Sequence, residues 1–464
     1  MHVKNMFKKI WPLMRPLLIA LSLLLAFALA LLFVIKDKIM LGAEAYVYGY
    51  PLVIMDITRA QSAINIGPEN QLRRVRQFPD ANFKDVVRPN VDTLYTTAFL
   101  SMKQGPWVFH MPVQYERYEL MPFMDAWTNV FASPGTRTRT GKESVYLLVG
   151  PNWQGTVPAH MTLLRSPTDM VWLIGRTQTN GVADFETVHR IQDGLKLEAF
   201  QSKDNSVQTL NSEKKSIASL SSLPPVAQVK ALSTTVFFER LFQLMVDNPA
   251  SPEDAPLLKR LALAGLQPGQ ATQLSKLDGF SFSIGRWLAD QKIKRALNAK
   301  DKEGSWRTPP LNLGKYGTDY NTRAVVAMVG LGANLPEDAL YPNTASDQQG
   351  RALNGKHKYR IHFDAKELPP VKAFWSITPY GADEFLIDNP LHRFALGDRD
   401  ALHYNSDGSL DIWIQAEAPT NPQMKSNWLP IKANAPFLLN ARLYWPKEDA
   451  LNLKWQMPHV ERID

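Results

Sequence analysis

One order of motifs occurs twice in this chain. Leu120-Met-Pro-Phe123 in the first half has a counterpart in Ile377-Thr-Pro-Tyr380 in the second. Each is followed by an apolar strand-like run, Val145–Val149 and Leu410–Ile414, and then by an Asn-Trp pair, Asn152-Trp153 and Asn427-Trp428. Each half then closes on a strand ending in a small residue and arginine, Leu173–Arg176 and Leu439–Arg442. Four matches in one order, with loops of different length, predict two related β units, the first organised around Arg117–Gly135.

The 464 residues are enough for about three domains. Thirty-three prolines and twelve tryptophans fit loop-rich β structure. The net charge of +8 is uneven. Lys4, Lys8, Lys9, Arg15, Lys36 and Lys38 against Asp37 place +5 in the first 38 residues and leave +3 for the rest. No basic stripe with interleaved aromatics follows, so nucleic-acid binding is not expected.

Pro16–Ile35 is an almost unbroken apolar run. At ~1.5 Å per residue its length matches a hydrocarbon core of ~30 Å. Ala28-Leu29-Ala30 has the form of a signal-peptide cleavage site, but cutting there would leave the apolar Leu31–Ile35 as a new terminus. The expectation is therefore an uncleaved single-pass anchor. The basic flank before it predicts a cytoplasmic amino terminus and a chain lying outside that membrane from Asp37 onward. The absence of cysteine suits an oxidising compartment and removes thiol catalysis and cysteine metal sites.

Along the chain, 1–15 reads as a basic cytoplasmic terminus and 16–35 as the anchor. Residues 39–80 form a helical entry segment with Leu41, Ala45, Tyr48, Leu52 and Met55 at helical spacing, broken near Gly49 and Pro51. Residues 81–181 form the first β-sandwich domain, with Thr162–Leu164 and Met170–Ile174 expected as a hairpin. Residues 182–330 form a helical subdomain with a linker at Gln201–Ser222. Its helices are expected over Val182–Phe200, Thr234–Val246, from Ser251-Pro252 to Gly265, and over Ser283–Lys300. Residues 331–464 form the second β-sandwich domain, with a turn at Asn405–Gly408.

At Pro89–Tyr95, Asp125-Ala-Trp-Thr-Asn129 and Tyr146–Pro151 the first half resembles the domain-of-unknown-function 1254 family. At Leu353–Gly355, Ala373–Ser376, Gly397-Asp-Arg399, Asp407–Leu410 and Asn427–Pro430 the second half is similar to its usual partner, domain-of-unknown-function 1214. The resemblance implies two jelly-roll-like sandwiches with a helical subdomain, in a bacterial protein with an exported or membrane-bound amino terminus. It implies no chemistry. The fold class expected is thus α+β: an N-terminal transmembrane helix, two jelly-roll-like units from an internal duplication, and an inserted helical subdomain.

Candidate site residues gather in two places. Asn90, Asp92, Thr93 and Tyr95 are the densest polar group beside an apolar strand. They either cap a turn through side-chain oxygens or line a pocket. Asp125, Trp127 and Asn129 share one side if extended, and either hold a polar ligand or satisfy one another in a buried corner. Arg137, Arg139, Arg176 and Arg442 either clamp a carboxylate or phosphate or make structural salt bridges. If Asp92, Tyr95, Asp125, Trp127 and Asn129 converge on one cleft, one carboxyl should have a raised pKa and suit acid–base chemistry.

His362-Phe363-Asp364 has the His-x-Asp spacing of non-haem iron sites, with His392, His403 or His459 as the distant partner, but a lone pair of this kind arises often by chance. No metal and no cofactor is expected. His110 and His160 read as core histidines. There is no Gly-x-Ser-x-Gly elbow, phosphate-binding loop or dinucleotide fingerprint. Two function classes stay open. One is a periplasmic protein on the bacterial inner membrane that binds a glycan, lipid headgroup or envelope component. The other is a metal-independent hydrolase or lyase using Asp92, Asp125 and Tyr95.

Overall fold

The computed structural model describes residues 2–83, 87–139, 141–201, 223–272, 274–297, 304 and 306–464, with side chains of the first helix before residue 36 described only in part. That helix, α1 (His2–Asn65), is 64 residues long. The expected anchor forms part of it, and many of the anchor's side chains lie outside the described residues. Among the described residues no helix is long and apolar enough to cross a membrane. The expected linker at Gln201–Ser222 lies outside the described residues beyond Gln201.

The predicted break at Gly49–Pro51 does not occur; α1 runs straight through it. Proline in a helix interior costs about 3 kcal/mol through a lost hydrogen bond and a clash with the preceding turn. Here Tyr46, Tyr48, Tyr50, Leu52, Val53 and Ile54 are all buried, so this half of α1 is enclosed on every side and packing outweighs the penalty.

The first β unit contains β1 (Arg73–Arg74), β2 (Thr93–Ser101), β3 (Trp107–Met111), β4 (Glu119–Leu120), β5 (Phe123–Asp125), β6 (Val130–Ala132), the short helix α2 (Thr136–Arg139), β7 (Ser144–Val149), β8 (Thr162–Arg165), β9 (Met170–Gln178), α3 (Phe185–Gly194) and β10 (Lys196–Ala199). The larger sheet runs β1-β2-β9-β5-β6 with β4 also on β9, and the smaller runs β10-β3-β7-β8. Period-two alternation gives the larger sheet two apolar faces. Leu100, Phe123, Val171 and Leu173 meet Phe109 and Leu148 of the smaller sheet. Phe99, Trp172 and Ile174 point the other way, onto the helices.

The predicted hairpin at residues 162–174 is not one. β8 pairs in parallel with β7 in the small sheet, whereas β9 pairs with β2 and β5 in the large one, so the Ser166–Asp169 turn crosses between sheets. The helix expected over Val182–Phe200 also ends early. Leu195 is extended, and β10 returns to the first unit by pairing with β3.

The helical region comprises α4 (Pro225–Ala231), α5 (Thr234–Leu244), α6 (Ala255–Leu263), α7 (Lys276–Leu297) and α8 (Tyr320–Val329). As expected, Ser251 starts the α6 segment through a reciprocal cap with Asp254. These helices, α1 and the outer face of the large sheet share one core.

The second β unit contains β11 (Ala339–Leu340), β12 (Asn343–Thr344), β13 (Tyr359–Phe363), β14 (Val371–Gly381), β15 (Leu396–Gly397), β16 (Leu410–Gln415), β17 (Trp428–Pro430), β18 (Phe437–Pro446) and β19 (Val460–Arg462). Its sheets run β11-β18-β14-β15, with β12 also on β18, and β17-β16-β13-β19. The small sheets agree in their pairings: β10-β3 and β19-β13 are antiparallel, β3-β7 and β13-β16 antiparallel, and β7-β8 and β16-β17 parallel. Tyr118, Leu120, Ala339, Phe374 and Tyr444 form the apolar seam between the two units.

Candidate functional site

The first polar group lies at this seam. The Asn90 carboxamide oxygen accepts from the amides of Asp92 at 2.6 Å and Thr93 at 3.3 Å, which closes the turn leading into β2. Its amide nitrogen then donates across the seam to the Tyr444 hydroxyl at 2.9 Å. Capping and bridging are therefore performed by one side chain. Asp92 has no exposed surface. It accepts from Ser376 Oγ at 2.7 Å and is ion-paired with Arg399, both from the second unit.

Arg399 also donates to the backbone carbonyls of Asp92 and Thr179, and its guanidinium lies 4.2 Å from the Phe374 ring centre. Its Nε has no partner among the described residues. Beside it, burial of the Asp398 carboxyl pushes the pKa up to about 6, opposed by the Trp375 amide and the Arg399 charge and aided by Asp92. Asp398 nonetheless keeps solvent-exposed surface, so it marks the rim of the junction.

Arg176 and Arg442 face the same junction. Tyr95 lies opposite Arg176 in the β2–β9 register, and Ser376 lies opposite Arg442 in β14–β18. The Arg176 guanidinium sits 5.0 Å from the Tyr95 ring centre and donates to Asn334 Oδ1 and to the carbonyls of Ile174 and Gly332. Arg442 donates to Thr378 Oγ1, the Tyr380 hydroxyl and the Arg88 carbonyl. Both are buried, and among the described residues their hydrogen-bond partners include no carboxylate. Asp338 is taken by Arg137 at 2.6 Å. Arg399 is thus the guanidinium paired with Asp92, while Arg176 and Arg442 are held by neutral oxygens and aromatic rings.

The second polar group is elsewhere. Asp125 accepts from the amides of Trp127 and Asn129 and from the Asn129 side chain, closing the β5–β6 turn. Thr128 in that turn has φ 69°, which is strained for a β-branched residue. Trp127 reaches into the helical layer, where its indole donates to the Asn248 and Pro249 carbonyls beside Tyr48 and Arg323. This motif docks helices onto the sheet.

The expected convergence therefore fails. Asp125 is opposite Val171 near the start of β9, whereas Thr93, next to Asp92, is opposite Gln178 at its end. Seven residues of extended strand separate them by about 23 Å. Tyr95 stays with Asp92, while Trp127 and Asn129 stay with Asp125. No acid pair built on Asp92 and Asp125 can act on one bond.

Arg139 is held by Glu119 at 2.5 Å in a buried salt bridge. His362 Nδ1 lies 2.7 Å from Asp411, and Asp364 is exposed. Among the described residues no group of three or more histidine and acidic side chains could hold a metal ion. His110 is half-buried, but His160 is exposed in a turn rather than in the core. Sequence reasoning singled out neither Ser376, Asp398 nor Arg399 as site residues. The signal for Arg399 was present in Gly397-Asp-Arg399, read only as a family motif.

Residues 69–199 match the family model described as "Protein of unknown function (DUF1254)", and residues 338–448 match that described as "Protein of unknown function (DUF1214)". The chain is a two-domain DUF1254–DUF1214 protein. The Asp92–Arg399 pair thus joins its DUF1254 part to its DUF1214 part. A crystal structure of the VPA0106 protein from Vibrio parahaemolyticus shares the fold, with TM-score 0.68 and 22% identity over 92% of this chain and 100% of that one. A putative uncharacterized protein from Burkholderia cenocepacia aligns with TM-score 0.46 and 12% identity over 93% of this chain and 94% of that one. No curated protein matches the chain.

Proposed function

We propose that this protein is tethered to a membrane by the first half of α1, lies outside the cytoplasm, and binds an anionic polar ligand at the rim of the junction between its β units. The observation that carries the binding reading is that, among the described residues, Arg176 and Arg442 are buried with only neutral hydrogen-bond partners, beside the Asp92–Arg399 pair. Guanidiniums that face only neutral oxygens and aromatic rings leave a positive potential, which favours a carboxylate or a phosphate headgroup. The tether is supported by Ile19, Leu23, Leu25, Leu29 and Phe33, all large, apolar and exposed on one continuous helix. Such a surface is stable against lipid rather than water.

The two β units are, on this reading, jelly-roll-like copies of one ancestral unit. The matching order and direction of the small-sheet pairings support it, as do Arg176 and Arg442 on the long strands β9 and β18. Trp153 and Trp428 do not support it, since Trp428 opens β17 whereas Trp153 precedes β8 in a loop.

Binding is tested by following the melting temperature of the detergent-solubilised full chain as inorganic phosphate replaces chloride at constant ionic strength. The midpoint should rise, and rise more below pH 6, where protonated Asp398 no longer repels the anion. Arg399→Gln should abolish the increase. An unchanged wild-type midpoint would refute anion binding at the junction.

A further inference from the structure

α7 has two apolar faces. One, with Phe282, Ala289 and Ile293, is buried. The other carries Leu277, Phe280 and Trp287 at 38%, 61% and 59% exposure. The placement of α7 beside α1 fixes where that second face stands. Lys38 pairs with Asp278, a Cβ on Gly42 would lie 2.7 Å from Phe282 Cα, and Arg286 lies 5.2 Å from the Tyr46 ring centre. The offset between partners stays at 240 residues, so the helices run side by side in the same direction. The first turn of α7 therefore stands level with the end of the Pro16–Ile35 run.

Heights follow from the helical rise. Beyond Ile35, Leu277 stands about 3 Å, Phe280 about 8 Å and Trp287 about 18 Å along the axis. The headgroup layer is about 5–8 Å deep on each side of the hydrocarbon. Met40, 56% exposed, stands level with Phe280, and the exposed Lys36 and Lys276 stand about 2 Å beyond Ile35, beside Leu277.

We propose that Met40, Leu277 and Phe280 form a collar that inserts into the headgroup layer of an anionic membrane, with Lys36 and Lys276 bound to its phosphates. This rests on the tether proposed above. Large apolar side chains beside lysines at this depth are what an interfacial anchor requires, and charge complementarity selects anionic lipid over neutral lipid. The collar would hold α1 at a fixed depth and orientation instead of leaving the β units on a free swivel.

The chain has no cysteine, so single substitutions place one fluorescent label cleanly. Full-length Leu25→Cys, Phe280→Cys, Trp287→Cys and Val113→Cys variants would be labelled and reconstituted in phosphatidylglycerol–phosphatidylethanolamine vesicles carrying nitroxide lipid. Emission should be lost strongly at 25, partly at 280, and not at 287 or 113. Replacing phosphatidylglycerol by phosphatidylcholine should weaken the loss at 280 only. Loss at 25 with none at 280 would overturn the collar and leave the tether standing. Loss at neither would overturn both. Disulfide cross-linking of Phe280→Cys between two chains would overturn it in favour of a self-association face.

Discussion

Asp125 shows how one residue can serve structure at a pH-dependent cost. Its carboxyl is buried, and desolvation raises its pKa from 3.8 to about 6, despite opposing bonds from Asn129 and Trp127. Below pH 3.8 the group is protonated both folded and unfolded, so it contributes no penalty. Between 3.8 and 6 the unfolded chain loses a proton that the folded chain retains, and stability falls as pH rises. Above about 6 the penalty is constant, and a shift of this size corresponds to about 3 kcal/mol. Asp125→Asn should remove that part of the pH dependence, because an amide oxygen still accepts from the same two backbone amides. Chemical unfolding of both proteins at pH 4 and pH 7.5 measures it. If their stability difference is the same at both pH values, the carboxyl is not the source.

At the level of elements, α7 contains its own control. A Cβ on Gly285 would strike the Ile39 carbonyl and the Ala43 amide of α1, which are backbone and cannot step aside, whereas a Cβ on Gly279 meets nothing within 4 Å. Gly279→Ala should therefore stabilise by ~0.5–1 kcal/mol through helix propensity alone. Gly285→Ala should destabilise by ~1–3 kcal/mol as the helices are pushed apart. Equal effects of the two substitutions in thermal unfolding would mean that α1 and α7 do not pack this closely.

The same helices mark what could be read beforehand. Strand β16 and the Ser251 cap were legible because alternation and capping are local. The continuity of α1 through Pro51 was not, since it depends on burial by α5, α7 and the sheet. The β8–β9 connection was misread for a similar reason: a short turn between two apolar runs looks the same whether the strands pair or diverge into different sheets. The Asp92 partners were illegible because Ser376 and Arg399 lie 284 and 307 residues away. Asp125 and Asp92 could be recognised as polar groups beside strands, but their separation along β9 required the register.

For the whole molecule, the question is whether the two β units act as one body. Apolar contact between the units is supplied by Tyr118 and Leu120 with Ala339, Phe374 and Tyr444, and by Val91 and Phe78 with Tyr380 and Leu386. The polar links around it are specific: Asp92 to Ser376 and Arg399, Asn90 to Tyr444, Arg137 to Asp338, and the Tyr118 hydroxyl to the Asp338 carbonyl at 3.1 Å. Asp92 is the member whose loss matters most, since it is a fully buried carboxylate paired with Arg399 across the seam and acting on the Arg442 charge. Asp92→Asn should leave the part-buried Arg399 without its hydrogen-bonded counter-charge, a penalty of at most ~3–5 kcal/mol. That penalty falls on the seam and not on either unit's core, because Asp92 contributes nothing to the packing inside the sandwiches. Calorimetry of the wild-type chain in detergent should therefore show one cooperative transition covering both units, and Asp92→Asn should split it into two. Ser133→Ala, which removes a bond to Asp338 and leaves Arg137 paired with it, should lower the midpoint slightly and keep the transition single. A single transition in Asp92→Asn at the wild-type temperature would show that the apolar seam alone couples the units, and that the Asp92–Arg399 pair is free for another role.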